Sequence, residues 1–179
     1  MFRDSRIGLG VLAGIGLVLV GFGVFGPRAP IAFAADLTPE SHQFRELESV
    51  LRKIERATEA GDLHRFRAAL TPRYFAELEQ RITDLGGGKL DGFALHDMAS
   101  FLGDLESLEF RLGLGEGARA VLVYAVGNSV SGWRLQAFTF DATNGVPRLD
   151  GKRADAVREG ADVGPWARAL ASRCLRGER

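Results

Sequence analysis

The chain has 179 residues, 46% of them apolar and 26% charged, with 23 basic against 23 acidic side chains. Such a balance offers no electrostatic footprint for nucleic acid, and a single cysteine excludes an internal disulfide or a cysteine-rich zinc site. Length and composition fit one folded domain.

The first element is an export signal. Arg3 and Arg6 precede a stretch from Ile7 to Gly26 without a charged or strongly polar side chain. Twenty helical residues at about 1.5 Å each span about 30 Å, the hydrocarbon thickness of a bilayer. The flanking arginines orient the N-terminus inward and the remainder outward. Two readings stand side by side. Gly26-Pro27 followed by Ala32-Phe33-Ala34-Ala35 has the form of a cleaved signal peptide, with cleavage after Ala34 or Ala35. The apolar run is also long enough to stay as a signal anchor, although its seven glycines weaken both helicity and hydrophobic drive. Residues 1–35 therefore form a signal peptide or single transmembrane helix, and 36–179 an exported domain. Gly8-x-Gly10-x-x-Ala13 matches a dinucleotide fingerprint only formally, because no strand has room to precede it. Gly86-Gly87-Gly88-Lys89 lacks the hydroxyl residue of a phosphate loop, with Leu90 in its place.

Helical signals follow. Thr38-Pro39-Glu40 reads as cap, first residue and favourable charge of a helix whose apolar stripe is Phe44, Leu47, Leu51 and Ile54. Gly61 closes it, and Asp62 caps a second helix with Leu63, Phe66 and Leu70 inward. Thr71-Pro72 opens a third, carrying Phe75, Leu78, Ile82 and Leu85 to the glycines at 86–88. Residues 93–102 read as one more short helix, with Phe93, Leu95, Met98, Phe101 and Leu102 as its apolar positions.

After Asp104 the period becomes two. Leu108, Phe110, Leu112 and Leu114 alternate with polar residues or glycine, predicting a half-exposed strand with all four on one face. Ala118–Val126 is apolar on both faces, as in a central strand. Trp133–Phe140 is the next, with Trp133, Leu135 and Ala137 opposite Arg134, Gln136, Phe138 and Phe140. Asn144-Gly145 marks a turn, 146–149 a short edge strand, and 150–162 a loop. Pro165–Leu175 predicts a terminal helix with Trp166, Leu170 and Cys174 on one side. Helices followed by an antiparallel meander make an α+β domain.

Glu46-Leu47-Glu48-Ser49-Val50-Leu51, running to Ala57-x-x-Ala60-Gly61-Asp62-Leu63, then Leu70-Thr71-Pro72-Arg73-Tyr74-Phe75 and Gly132-Trp133-Arg134-Leu135, resemble the nuclear transport factor/ketosteroid isomerase-like (SnoaL-like, cystatin-like cone) superfamily. The resemblance covers roughly residues 38–150 by element order. It implies a curved antiparallel sheet wrapped around the first helix, with a pocket between the concave face and the helices. Family members use that pocket as an enzyme site, a ligand site or a dimer-facing surface, and fold alone does not choose among them. Tyr74, Tyr124, Trp133 and Phe138 are the expected lining of a ligand pocket. Isomerase-like members pair a carboxylate base with a tyrosine or acid. Asp97 and Asp141 are the nearest bases here, but their spacing from Tyr74 and Tyr124 does not match, so no catalytic residue carries over.

Other chemistry finds little footing. His96 and Asp97 are adjacent, and helical neighbours point about 100° apart. His42 and His64 have no metal-spaced partner, and no Gly-x-Ser-x-Gly elbow is present. Cys174 reads as a small buried apolar residue, or as a bridge between two chains in an oxidising compartment, which admits a homodimer. The sequence thus points to an exported, non-catalytic domain of the bacterial envelope, binding a small apolar ligand or a protein partner and no cofactor. An isomerase- or hydratase-like enzyme using Asp97 or Asp141 with a tyrosine is one alternative. An assembly scaffold anchored in the inner membrane through residues 7–26, with its domain in the periplasm, is the other.

Overall fold

A computed structural model describes residues 28–86, 88–98, 101–102, 105–128, 132–157 and 162–178. The apolar run 7–26 lies outside the described residues.

Local capping chemistry sets the helices. In α1 (His42–Glu59) the Ser41 hydroxyl accepts from the Phe44 N–H at 3.1 Å. The cap is Ser41 rather than Thr38, because the Thr38 carbonyl accepts the Ser41 N–H and closes a turn first. Asp62 caps α2 (Leu63–Ala69), and Thr71 caps α3 (Pro72–Asp84) with Pro72 in its first turn. The fourth helix, α4 (Gly92–Asp97), is capped by Asp91 and stops short of residue 102. Leu95 is its buried residue, whereas Phe93 points into solvent.

The strands β1 (Glu109–Glu116), β2 (Arg119–Asn128), β3 (Gly132–Asp141) and β4 (Arg148–Val157) form one antiparallel sheet in the order β1-β2-β3-β4. Its inner face carries Ala120, Leu122, Tyr124, Phe138 and Phe140 against the apolar sides of α1–α4. Its outer face carries Val121, Val123, Ala125, Leu135 and Ala137 against α5 (Val163–Leu175). The continuous apolar run of β2 reflects that position between two layers. In α5 the buried stripe is Val163, Ala167, Leu170, Ala171 and Cys174, and Trp166 stands beside it, half exposed.

Two strand expectations change. The pairing of β1 with β2 slips between Phe110 and Leu112. Phe110 sits opposite Tyr124 and joins the inner core, while Leu112 and Leu114 sit opposite Val123 and Val121 and pack outside. A bulge thus divides between two faces the residues that simple alternation puts on one. The stretch 150–157, polar enough to read as a loop, is instead most of β4, paired with β3 from Asp141↔Arg148 to Trp133↔Val157. Ladder bonds to β3, rather than apolar alternation, make it a strand. Polar side chains suit its place at the sheet edge.

Each edge of the sheet is met over part of its length by another segment. Along β4, Leu70 pairs with Leu149, and the Thr71 N–H donates to the Leu149 carbonyl at 2.9 Å. Along β1 runs a strap, residues 31–37. Ile31 N–H donates to Ala142 O at 3.2 Å, Phe33 N–H to Gly117 O at 2.8 Å and Leu37 N–H to Gly113 O at 3.0 Å. Gly115 returns a bond to Ala35 O at 3.1 Å, and Asp36 pairs antiparallel with Leu114. Phe33 and Leu37 are buried in the inner core, so folded contacts reach back past residue 36 to Ile31.

Gly113 and Gly115 allow this close approach. A Cβ at Gly113 would stand 2.7 Å from Leu37 O; one at Gly115 would strike Ala34 O and lie 2.6 Å from Phe33 Cβ. Gly115→Val therefore lifts the strap off β1 and costs about 1–3 kcal/mol, read as a lower urea midpoint. Gly151→Val, in β4 away from the strap, where an added Cβ meets nothing nearer than Thr139 at 3.9 Å, is the control for a valine in a strand.

Candidate functional site

The inner face is filled by its own side chains. Phe44, Phe110, Tyr124 and Phe138 form an edge-to-face row with centroids 4.8, 5.8 and 5.8 Å apart. Phe66 meets Phe101 at 5.8 Å and Phe75 at 6.5 Å. Such rings contribute both buried area and specific pair geometry. The α1 stripe lies on this row through Phe44.

The four residues expected to line one pocket do not converge. Phe138 is fully buried in the row. Tyr124 lies beside it, its hydroxyl without a hydrogen-bond partner among the described residues, and lines a void of about 20 Å³ with Glu48, Leu51, Arg52 and Leu105. Burial pushes its phenol pKa well above the usual range. Trp133 is on the opposite face of the sheet, packed beside the outer core with the Arg111 guanidinium 4.7 Å from its ring. Tyr74, on α3, lines a surface cleft, and burial raises its phenol from 10.0 to about 12.

That cleft, about 470 Å³, opens between α3, β4 and the end of α5. Asp150 organises it. Its carboxylate accepts from Thr71 Oγ1 at 2.6 Å and from Arg73 at 2.6 Å, with Arg119 at 3.7 Å. The contacts join the α3 cap to β4, and the hydrogen bond to Asp150 raises the Arg73 pKa. Lys152 reaches inward from β4. Its amine donates to the Phe101 carbonyl and lies 5.6 and 5.9 Å from the Phe101 and Phe138 rings. Burial lowers its pKa. Reading 150–162 as a loop concealed this residue, since its inward direction follows from the β3–β4 register.

A second concavity of about 450 Å³ lies between α1, α2 and the β3–β4 turn. Val50, Ala57, Val146 and Pro147 supply apolar walls, and Lys53, Arg56 and Arg65 supply charge.

The remaining candidates take structural places. His96 Nδ1 lies 2.9 Å from the Glu59 carbonyl, joining α4 to the end of α1. His42 Nδ1 is 4.0 Å from Glu46, and His64 is exposed. Asp141 accepts the Thr143 N–H at 2.7 Å in the turn after β3. Cys174 is buried, and burial raises its thiol pKa. Among the described residues no three His, Cys, Asp or Glu side chains group as metal ligands.

Tyr124→Phe removes an unpartnered hydroxyl and shifts stability by less than about 1 kcal/mol. Tyr124→Ala empties the ring position and costs about 3–5 kcal/mol. Urea unfolding of the pair separates a packing ring from a functional hydroxyl. For alkaline pH the sign follows from linkage. A tyrosine at about 12 in the fold and 10.0 when unfolded keeps its proton longer in the fold. Its stabilisation is complete below about pH 10 and is lost as pH rises towards 12. Stability therefore falls over that window, and Tyr74→Phe lowers the slope in unfolding curves taken at stepped pH, the remaining fall being carried by buried Tyr124.

No protein-family model matches the chain, and no curated protein is significantly similar to it.

Proposed function

We propose that this chain is a non-catalytic binding domain of the bacterial envelope, of the cystatin-like cone type, held at the outer surface of the inner membrane by residues 7–26. The observation that carries the reading is the filled inner face. The space that cone enzymes use for substrate is occupied by Phe44, Phe110, Tyr124 and Phe138, which favours recognition at the outer surface. Neither Asp97 nor Asp141 faces a tyrosine in a closed pocket. Asp141 serves a turn, and Asp97 ends α4 with its side chain exposed.

The strap supports retention of the N-terminal segment over its removal. Cleavage after Ala34 or Ala35 would discard Phe33 from the core and the backbone bond that Phe33 makes to Gly117. A chain kept whole retains both. The balanced charge of the exported part, 20 basic and 22 acidic residues from 36 onward, leaves recognition to local patches.

Expression of the full chain in a bacterium, followed by carbonate extraction and N-terminal sequencing, tests the anchor. The expected result is membrane-bound protein with its original N-terminus. A soluble form beginning near Asp36 overturns it. The non-catalytic half is tested with a panel of enolisable ketones and esters. No turnover is expected, and turnover abolished by Tyr74→Phe or Tyr124→Phe overturns it.

A further inference from the structure

We infer that the groove between α1, α2 and the β3–β4 turn binds the headgroup of an anionic phospholipid in the membrane that carries the chain's own anchor. The inference rests on the anchored reading above.

The first support is the chemistry of the groove. Its walls are apolar, from Val50, Ala57, Val146 and Pro147, while Lys53, Arg56 and Arg65 are exposed at it and no carboxylate lines it. Arg65 is 3.2 Å from Asp62; Lys53 and Arg56 make no ion pair among the described residues. The cleft beside Asp150 is different, since Glu77, Asp150 and Glu178 face its cations. Unanswered positive charge over an apolar floor complements a phosphate joined to the first carbons of a lipid. A volume of about 450 Å³ accommodates a headgroup of that size.

The second support is position. Arg28, the first described residue, packs against Gly145: a Cβ there would strike Arg28 Cβ and stand 2.6 Å from Ala29 O. The next two residues of that turn, Val146 and Pro147, form the groove wall. Gly26, the last residue of the apolar run, is two residues before Arg28, a span of at most about 7 Å. Covalent connection therefore ties the C-terminal end of the apolar run to the turn that walls the groove. Arg28 adds a fourth cation at the same end of the domain. Positive side chains close to an anionic bilayer surface attract its headgroups, each by an amount that salt screens within a Debye length.

Full-length protein in neutral detergent, titrated with short-chain phosphatidylglycerol, phosphatidylcholine or inorganic phosphate, tests the inference. Hydrogen exchange over residues 50–57 and 65–69 is the readout. Saturable protection by phosphatidylglycerol is expected, with phosphatidylcholine and phosphate at equal concentration giving none. Lys53→Gln/Arg56→Gln, on exposed positions that leave the core untouched, is expected to bind about 30-fold more weakly. Equal protection by phosphatidylcholine, equal protection by free phosphate, or unchanged binding by the double variant each overturns the proposal. So does protection present before any lipid is added and lost when residues 7–26 are replaced by a polar linker, since the groove then holds the chain's own segment. Extraction and N-terminal sequencing of the same preparation keep the two readings apart. A released chain starting near Asp36 defeats the anchor, whereas an anchored chain without lipid discrimination defeats only the headgroup site.

Discussion

The structure depends on β2 being dry on both sides. Ala120, Val121, Leu122, Val123 and Ala125 have no measurable exposure, and no polar residue among them has to be satisfied. Burying each larger aliphatic side chain contributes about 1.5–3 kcal/mol, but only if a layer exists on each face. The helices α1–α4 supply one layer and α5 the other. The terminal helix is therefore as necessary to the sheet as the long first helix.

That two-layer demand explains how space is distributed. Inside, Phe44 of α1 meets Phe110 of β1, which continues the row to Tyr124 and Phe138, and aromatic packing consumes the volume. Outside the core, two concavities form where elements meet imperfectly: at the junction of α3 with β4, and where α1 and α2 approach the β3–β4 turn. Each inherits the charge of the polar helix faces beside it. Asp150 neutralises the first from within the fold, and the second keeps its positive charge.

What the sequence revealed and what it concealed divide along the range of the interactions involved. Thr71-Pro72 and Asp62 act on N–H groups three residues away, so the starts of α2 and α3 were legible. The stripe of α1 was legible because its residues recur within one helix, and the double-sided run of β2 named it as central. The face taken by Phe110 depends on a bulge relative to another strand, and β4 exists because β3 is there to pair with it; neither fact resides in the local pattern. The candidate site was less legible still. Tyr124 and Phe138 share a face through the β2–β3 register, which alternation within either strand does not give, and only three-dimensional packing shows that rings fill it. Lys53 and Arg56 come from α1, Arg65 from α2 and Pro147 from the β3–β4 turn, and no spacing rule joins those three elements.

The strap has a consequence for what the sheet can offer to other chains. While residues 33–37 lie along β1, the Gly113 carbonyl and the Gly115 N–H are already engaged. A chain lacking that segment would expose a glycine-bearing edge, open to strand exchange with a second copy. The N-terminal stretch thus closes an edge that would otherwise be free to take up another strand.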